Sequence, residues 1–369
     1  MRRFHLILAI FYFYLGFRLS IGLGPWIWPF LILPFSGLFL YPTNWLRKSD
    51  LETHEHLFRW KVYLDIGFLC FLASLTLLRD ILAFFVFLVH PEWTQFLLGP
   101  TSSWILLGLT CAGLVVGLWT ALSGPRIKSV KVPISNLPTP LEGYRIVQIS
   151  DLHVGPSVGS RYVKKVVQKV NALAPQMTVL TGDIADGEPD HHLEAATHLS
   201  ALEPAGQIFY VTGNHEYYWD GPRWIEEFQA LGMHVLQNSK KIIEYMNYEI
   251  HVSGILDPAA RLANPRLKPD LKAAAGEMKD SAVKILLAHQ PLFAEEAAES
   301  GFDLMLSGHT HAGQFFPFTL FIFSVQKFVK GLKACGDMWV YVNQGTGYWG
   351  PPLRLGSVTE ITLLELTAR

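Results

Sequence analysis

At 369 residues the chain has room for one sizeable catalytic domain and a second module, and half of it is hydrophobic with only 17% charged residues. With 30 Lys and Arg against 31 Asp and Glu, the formal charge is -1, so no global field favours nucleic acid or another polyanion. Three cysteines, Cys70, Cys111 and Cys335, supply neither a disulfide framework nor a thiolate metal site.

The apolar residues concentrate in the first third. A membrane span needs about 20 mostly apolar residues, and Phe4 to Leu23, Trp26 to Tyr41, Val62 to Val89 and Ser102 to Leu122 are read as four such stretches. The second is short and carries Pro29 and Pro34, so a re-entrant segment is the alternative, although Gly22-Leu23-Gly24-Pro25 supplies a turn between two spans. Residues 1–123 are therefore expected to be a transmembrane region of about four helices, in a multi-pass integral membrane protein with no cleaved signal peptide. Lys and Arg fall before the first stretch (Arg2, Arg3), between the second and third (Arg47, Lys48, Arg59, Lys61) and after the fourth (Arg126, Lys128, Lys131). With four spans all three clusters lie on one side, which places the C-terminal domain in the cytoplasm. Arg79 and Asp80 interrupt the third stretch, either as an ion pair inside the bundle or as a contact to a lipid head group or substrate. Arg18 is near enough to a span end to snorkel.

Residues 124–143 read as a linker, and from Tyr144 to the C-terminus short apolar runs alternate with helical patterns, the mark of an α/β fold. Strands are expected at Tyr144 to Ser150, Met177 to Thr181 and Gln207 to Thr212, with helices at Arg161 to Leu173 and His192 to Leu202. A hairpin follows, Lys241 to Tyr245 and Tyr248 to Gly254 across Met246-Asn247, then strands at Val283 to Ala288, Asp303 to Ser307, Met338 to Val342 and Val358 to Leu364.

Five polar clusters sit just beyond the ends of these strands, where open α/β sheets place their ligands. They are Asp151-Leu152-His153, Gly182-Asp183-Ile184-Ala185-Asp186, Gly213-Asn214-His215-Glu216, His289 and Gly308-His309-Thr310-His311. Each alone is weak evidence, because Gly-Asp is commonly a turn and a single histidine is commonly a hydrogen-bonded core residue. Together they offer carboxylate, imidazole and one amide oxygen, a donor set for two adjacent divalent cations such as Zn, Mn or Fe. Two such ions stabilise the attacking and leaving oxygens of an in-line displacement at phosphorus. His191-His192 and His54 with His56 fall outside the pattern and read as solvated loop residues.

In these five blocks the sequence resembles the calcineurin-like metallophosphoesterases, whose pattern is D-x-H, G-D-x-x-D, G-N-H-[ED], a lone His and G-H-x-H. The resemblance implies a four-layered α/β/β/α sandwich over 144–369 and a dinuclear phosphohydrolase: phosphodiesterase, phosphatase or pyrophosphatase. It further implies one metal on Asp151, His153, Asp183 and His311, and a second on Asp183, Asn214, His289 and His309, with Asp183 bridging. A hydroxide between the ions is the implied nucleophile, with His215 aiding the leaving group and Asp186 orienting His215. Gly308 to Gln314 and the stretch Gly345 to Gly356 resemble the YkuE-like branch, which includes transmembrane proteins with a metallophosphoesterase domain. The usual Gly after G-H-T-H is Ala312 here.

The apolar, aromatic run from Phe315 to Val329, beside Lys327, Lys330 and Lys333, is either core or a lip that dips into the bilayer surface. Arg354 is either a substrate phosphate contact or part of a structural salt bridge. The expected substrate is a phosphorylated small molecule or a lipid-linked phosphate cleaved at the membrane face, with membrane lipid as partner and no nucleic acid. The rival reading is a non-catalytic membrane receptor or scaffold that retains the fold, and the intact ligand set counts against it.

Overall fold

The computed structural model describes residues 2–40 and 53–369; the expected basic pair Arg47 and Lys48 and the end of the second apolar stretch at Tyr41 lie outside the described residues. By their contacts the residues form two units, Met1–Trp119 with Phe315–Pro317 and Gly350–Leu355, and Thr120–Gln314 with Phe318–Trp349 and Gly356–Arg369.

The first unit is built on helices Arg2–Leu23, Ile27–Leu40, Thr53–Val89 and Pro100–Leu122. Three contain segments long and apolar enough to cross a membrane: His5–Leu23, Leu57–Val89 and Pro100–Leu122. The second expected stretch is a 14-residue helix with Pro34 inside it. At 1.5 Å per residue it is about 21 Å long, short of the ~30 Å hydrocarbon core. The third helix begins at Thr53 rather than Val62 and runs 37 residues without a break. Leu15, Leu19, Ile27, Leu31, Val62 and Leu72 are fully buried among these helices. Phe315 and Leu353 pack with Phe71 in the same unit. Arg354 is fully buried there, its backbone N–H donating to the Gly117 carbonyl at 2.9 Å.

The second unit holds two six-stranded sheets in the orders β1-β12-β2-β3-β4-β5 and β10-β11-β9-β8-β7-β6. The strands of the first are β1 (Arg126–Ile134), β2 (Arg145–Ile149), β3 (Met177–Thr181), β4 (Ile208–Val211), β5 (His234–Val235) and β12 (Glu360–Ala368). Those of the second are β6 (Ser239–Tyr245), β7 (Tyr248–Gly254), β8 (Val283–Leu287), β9 (Leu304–Ser307), β10 (Gly331–Cys335) and β11 (Met338–Val342). One apolar layer, including Ile146, Val179 and Phe209 from the first sheet and Ile250, Ile285 and Leu304 from the second, lies between them. Helices Ser160–Asn171 and Gly221–Ala230 cover the outer face of the first sheet, and Leu271–Ala275 and Ala294–Glu299 that of the second. Two sheets between two helical layers make the four-layered α/β sandwich.

Two expectations are corrected. Residues 124–143, read as a linker, contain β1, which pairs in parallel with β12 from Arg126↔Glu360 to Ile134↔Ala368. Its Arg126, Lys128 and Lys131 and its Pro133 suit an edge strand, which need not be apolar. His191 and His192 lie in the helix Pro189–Thr197 rather than in a loop, and the backbone of His54 and His56 lies in the third helix. The expected hairpin is present: Met246 and Asn247 both take positive φ, 50° and 67°, as a tight two-residue turn between twisted strands requires.

Candidate metal centre

Parallel pairing sets where the polar clusters converge. β2, β3 and β4 are adjacent and parallel in one sheet, and β8 and β9 are adjacent and parallel in the other. Each of the five clusters follows the C-terminal end of one of these strands. The connection is tight in every case, because Asp151, Asp183 and Asn214 come two or three residues after β2, β3 and β4, as His289 and His309 do after β8 and β9.

Such abrupt turns cost backbone strain. Asp151 (φ 51°), His153 (54°), Asp183 (51°), His309 (67°) and His311 (48°) all lie in the left-handed region. Outside glycine this conformation is unfavourable by about 1 kcal/mol or more per residue, and it collects at functional sites. Ala312 has φ 51° as well, so a methyl group stands where glycine would relieve the strain. Two motif glycines answer a different need. A Cβ at Gly308 would lie 1.9 Å from Ser150 Oγ and 2.1 Å from Asp151 Oδ2, and one at Gly213 would lie 2.2 Å from Asp183 Oδ1. Side chains at either place would displace the carboxylates.

Of three donor groups among the described residues, two join a carboxylate to a histidine of the last motif, Asp151 with His153 and His311, and Asp183 with His289 and His309, while the third is Asp186 with His153 and His215. In the first, His311 Nε2 is 3.2 Å from Asp151 Oδ1 and 3.0 Å from His153 Nε2. In the second, His289 Nε2 is 3.2 Å from both Asp183 Oδ2 and His309 Nδ1. Asp183 Oδ2 also lies 4.0 Å from His153 Nε2, so its carboxylate stands between the groups. Neighbours fix the orientation of each donor. Ser150 Oγ donates to Asp151 Oδ2 at 2.6 Å, and the His309 N–H donates to both Asp151 oxygens at 3.0 and 3.1 Å. His289 Nδ1 donates to the Thr181 carbonyl at 2.8 Å, which turns Nε2 toward the site.

The donor set suits divalent cations on two counts. Two imidazole nitrogens face each other at 3.0 Å in one group and at 3.2 Å in the other. Ligands each about 2.0–2.1 Å from a common ion have spacings of this size. Asn214 Oδ1, moreover, is buried and accepts no hydrogen bond among the described residues. A buried carbonyl oxygen left without a partner costs about 1–3 kcal/mol, and a cation satisfies it.

Charge follows position. Burial alone would raise the carboxyls of Asp151 and Asp183, but His311 and His289 hold the first, and His289 and His215 the second, below the usual carboxylate range. Burial would lower His289, yet Asp183 raises it well above the usual imidazole value; burial and the adjacent His289 push His309 down to about 4. His215 sits at the edge of the second group, Nε2 4.0 Å from Asp183 Oδ2 and Nδ1 2.9 Å from Asp186 Oδ1. Asp186 and Asp183 overcome burial and raise it to about 10. Asp186 also accepts from Trp219 Nε1 at 3.0 Å and stands 3.5 Å from His153 Nδ1.

One supporting residue has no role in the sequence reading beyond its place in the Gly213-Asn214-His215-Glu216 block. Glu216 is fully buried and accepts four backbone N–H groups, from Asp183 (3.1 Å), Ile184 (2.6 Å), Ala185 (2.9 Å) and Gly213 (2.7 Å). It ties the Asp183 turn to the Asn214 turn. Asp257, also buried, accepts from Gln290 Nε2 at 2.8 Å beside His289, and no motif announces it.

A family model described as calcineurin-like phosphoesterase matches residues 144–313. The chain is 38% identical over 258 residues to a transmembrane protein with metallophosphoesterase domain of Danio rerio, covering 68% of this chain and 59% of the relative. The protein of the same description in Bos taurus is 37% identical over 270 residues, covering 69% and 60%. The metallophosphoesterase YkuE of Bacillus subtilis is 31% identical over 242 residues, covering 63% and 82%. The chain thus spans about three fifths of the length of the first two relatives.

Proposed function

Because the chain belongs to the calcineurin-like phosphoesterase family, we propose that it hydrolyses phosphoester or pyrophosphate bonds at a membrane face with the centre around Asp183. The observation that carries this reading is the Asp183 carboxylate, 3.2 Å from His289 Nε2 on one side and 4.0 Å from His153 Nε2 on the other. Asp151, His153, Asp183 and His311 would hold one divalent cation, and Asp183, Asn214, His289 and His309 the other. When bound, such ions polarise phosphoryl oxygens and acidify a water. His215, its Nδ1 held by Asp186, directs Nε2 toward the substrate and gives its proton to the leaving oxygen. His215→Ala is expected to lower kcat about a hundredfold with metal content unchanged, and Asp186→Asn about tenfold or more. Steady-state kinetics with metal analysis on each variant checks both; an unchanged kcat in His215→Ala removes its role.

The proposed membrane side is supported by the basic residues flanking the third and last long helices. Arg59 and Lys61 lie near the start of the first of these and Arg126, Lys128 and Lys131 follow the second, so a hairpin of two crossings leaves both clusters on one side. That side is the cytoplasm, and the chain enters it after Leu122. Arg2 and Arg3 join the same side if the short helix Ile27–Leu40 returns the chain across the membrane. This arrangement makes the chain multi-pass.

A lipid-linked substrate is supported by the helix Phe318–Val325, which follows the last histidine pair and buries none of its residues. Phe318, Leu320, Phe321, Phe323 and Val325 are 47–72% exposed. Core packing therefore does not explain this helix, whereas insertion at a bilayer surface does. Of the neighbouring lysines, Lys327 pairs with Glu295, and Lys333 is exposed. Arg354, fully buried in the first unit, lends this reading no support. Leu320→Glu with Phe321→Glu is expected to reduce hydrolysis of vesicle-borne lipid phosphates at least tenfold and to spare a soluble aryl phosphodiester. Equal loss on both substrates would remove the membrane role of this helix. The function itself is tested with detergent-solubilised full chain supplied with Mn, Fe or Zn, across phosphomonoesters, phosphodiesters and lipid pyrophosphates. Cleavage of aryl diesters with every lipid phosphate untouched would sink the lipid link, and no cleavage at all would favour a scaffold.

A further inference from the structure

Tyr14, Arg18, Arg79, Asp80 and Ser103 form one connected polar group in the helical unit. Asp80 accepts from Arg18 Nε at 2.6 Å, Arg18 Nη2 at 2.8 Å and the Tyr14 hydroxyl at 2.8 Å. Arg79, only 7% exposed, donates to Ser103 Oγ at 3.2 Å, to the Arg18 carbonyl at 3.3 Å and, at 3.4 Å, to the same Asp80 oxygen that Arg18 already holds. The charges do not balance. Two guanidiniums that stay protonated share one carboxylate, and no second carboxylate pairs with either arginine among the described residues. Arg18 and Asp80 make a two-pronged pair, so the unmatched positive charge is that of Arg79. A cation buried at membrane depth without a counter-charge is costly. The Thr76 hydroxyl, one turn before Arg79 and Asp80 on the same helix, is also fully buried and makes no hydrogen bond among the described residues.

Depth and surroundings narrow what can supply the missing charge. Asp80 comes 19 positions after Lys61 on one continuous helix, about 28 Å along its axis, close to the ~30 Å thickness of the hydrocarbon core. Ser103 is the fourth residue of its helix, and next to it the rings of Trp104 and Trp26 meet at 6.0 Å, aromatic side chains of the kind that gather at head-group level. Leu77, Leu78, Ile81 and Leu82, around the pair, are 47–53% exposed. A free anion would have to shed its water against this apolar surface, whereas an amphiphile arrives with chains that cover it.

We propose that this network binds the phosphate of an anionic phospholipid, in the leaflet remote from Lys61, with Arg79 and Arg18 facing the phosphate and the acyl chains lying over Leu77, Leu78, Ile81 and Leu82. The inference rests on the reading that these helices span a membrane and is independent of the metal centre. Its test uses full chain in detergent, with native mass spectrometry of bound lipid and dioleoyl phosphatidylglycerol, dioleoyl phosphatidylcholine and inorganic phosphate as probes. Phosphatidylglycerol is expected to be retained at least tenfold over phosphatidylcholine, and a large excess of inorganic phosphate is expected not to displace it. Arg79→Met leaves the neutral Arg18–Asp80 pair and is expected to bring phosphatidylglycerol down to the phosphatidylcholine level. Asp80→Asn, which adds net positive charge, is expected to retain phosphatidylglycerol as well or better. Equal retention of the two lipids, displacement by inorganic phosphate, unchanged binding in Arg79→Met or loss in Asp80→Asn would each overturn the proposal. Hydrolysis of a soluble aryl phosphodiester by the same preparations reports the metal centre separately. Loss of that activity in the unaltered chain counts against the proposed function and leaves the lipid result standing.

Discussion

Asp183→Asn is expected to lower metal-dependent hydrolysis about a thousandfold or more, a rise in barrier of about 4 kcal/mol at 1.36 kcal/mol per decade. Asp183 stands between the two donor groups, with Oδ2 toward His289 and His153 and Oδ1 accepting the His215 N–H at 2.8 Å. An amide keeps one oxygen, so it can serve that N–H or a single cation, but it cannot bridge two. It also removes the charge that raises His289. The turn itself should survive, because Glu216 rather than Asp183 holds its backbone. Circular dichroism of the variant should therefore match the unaltered chain while its turnover does not. A rate within tenfold of the original would contradict the bridging role.

Glu216→Gln has its large effect on stability. The carboxylate takes two N–H groups on each oxygen: Ile184 and Ala185 on Oε1, Asp183 and Gly213 on Oε2. An amide offers one acceptor oxygen and turns its NH2 toward the other two donors. Two buried N–H groups left unpaired at about 1–3 kcal/mol each, together with the lost charge assistance, give on the order of 3–5 kcal/mol. For a domain of this size that is a fall in Tm of roughly 10 °C. Thermal unfolding without added metal isolates this loss from weakened metal binding, and a Tm within about 2 °C of the unaltered chain would contradict it. Burial and the Asp183 carboxylate together push Glu216 up to about 7, while the Ala185 and Gly213 N–H groups draw it down. The residue is held against its own desolvation by the backbone it organises.

The sequence reading reached the donor residues but not their support, for a physical reason. Asp151, Asp183, Asn214, His289 and His309 are polar residues placed abruptly after apolar strands, and that contrast survives in one dimension. Glu216 and Asp257 act through backbone amides and a glutamine brought to them by folding, a relation that no spacing records. Strands with buried, β-branched interiors, such as β3 and β8, were legible to within a residue. β1 was not, because an edge strand exposes one side and tolerates Arg126, Lys128, Lys131 and Pro133, the composition of a linker. The short strand β10 escaped for a similar reason, with Lys333 exposed on a sheet edge. Likewise the aromatic run after His311 was ambiguous until the burial of Phe315, Phe328 and Val329 could be separated from the exposure of the residues between them.

The two units give the chain one membrane-spanning candidate and one family fold, and the proposed activity depends on the second. The claim at its centre is that Asp183 joins two cations in one site. Metal content of the purified full chain, dialysed against Mn and measured by inductively coupled plasma mass spectrometry beside hydrolysis of an aryl phosphodiester, tests it most directly. The account predicts close to two ions per chain with activity rising in step, and fewer than two with no activity in Asp183→Asn; full activity in chains stripped of metal, or two ions retained by the active Asp183→Asn variant, would contradict it.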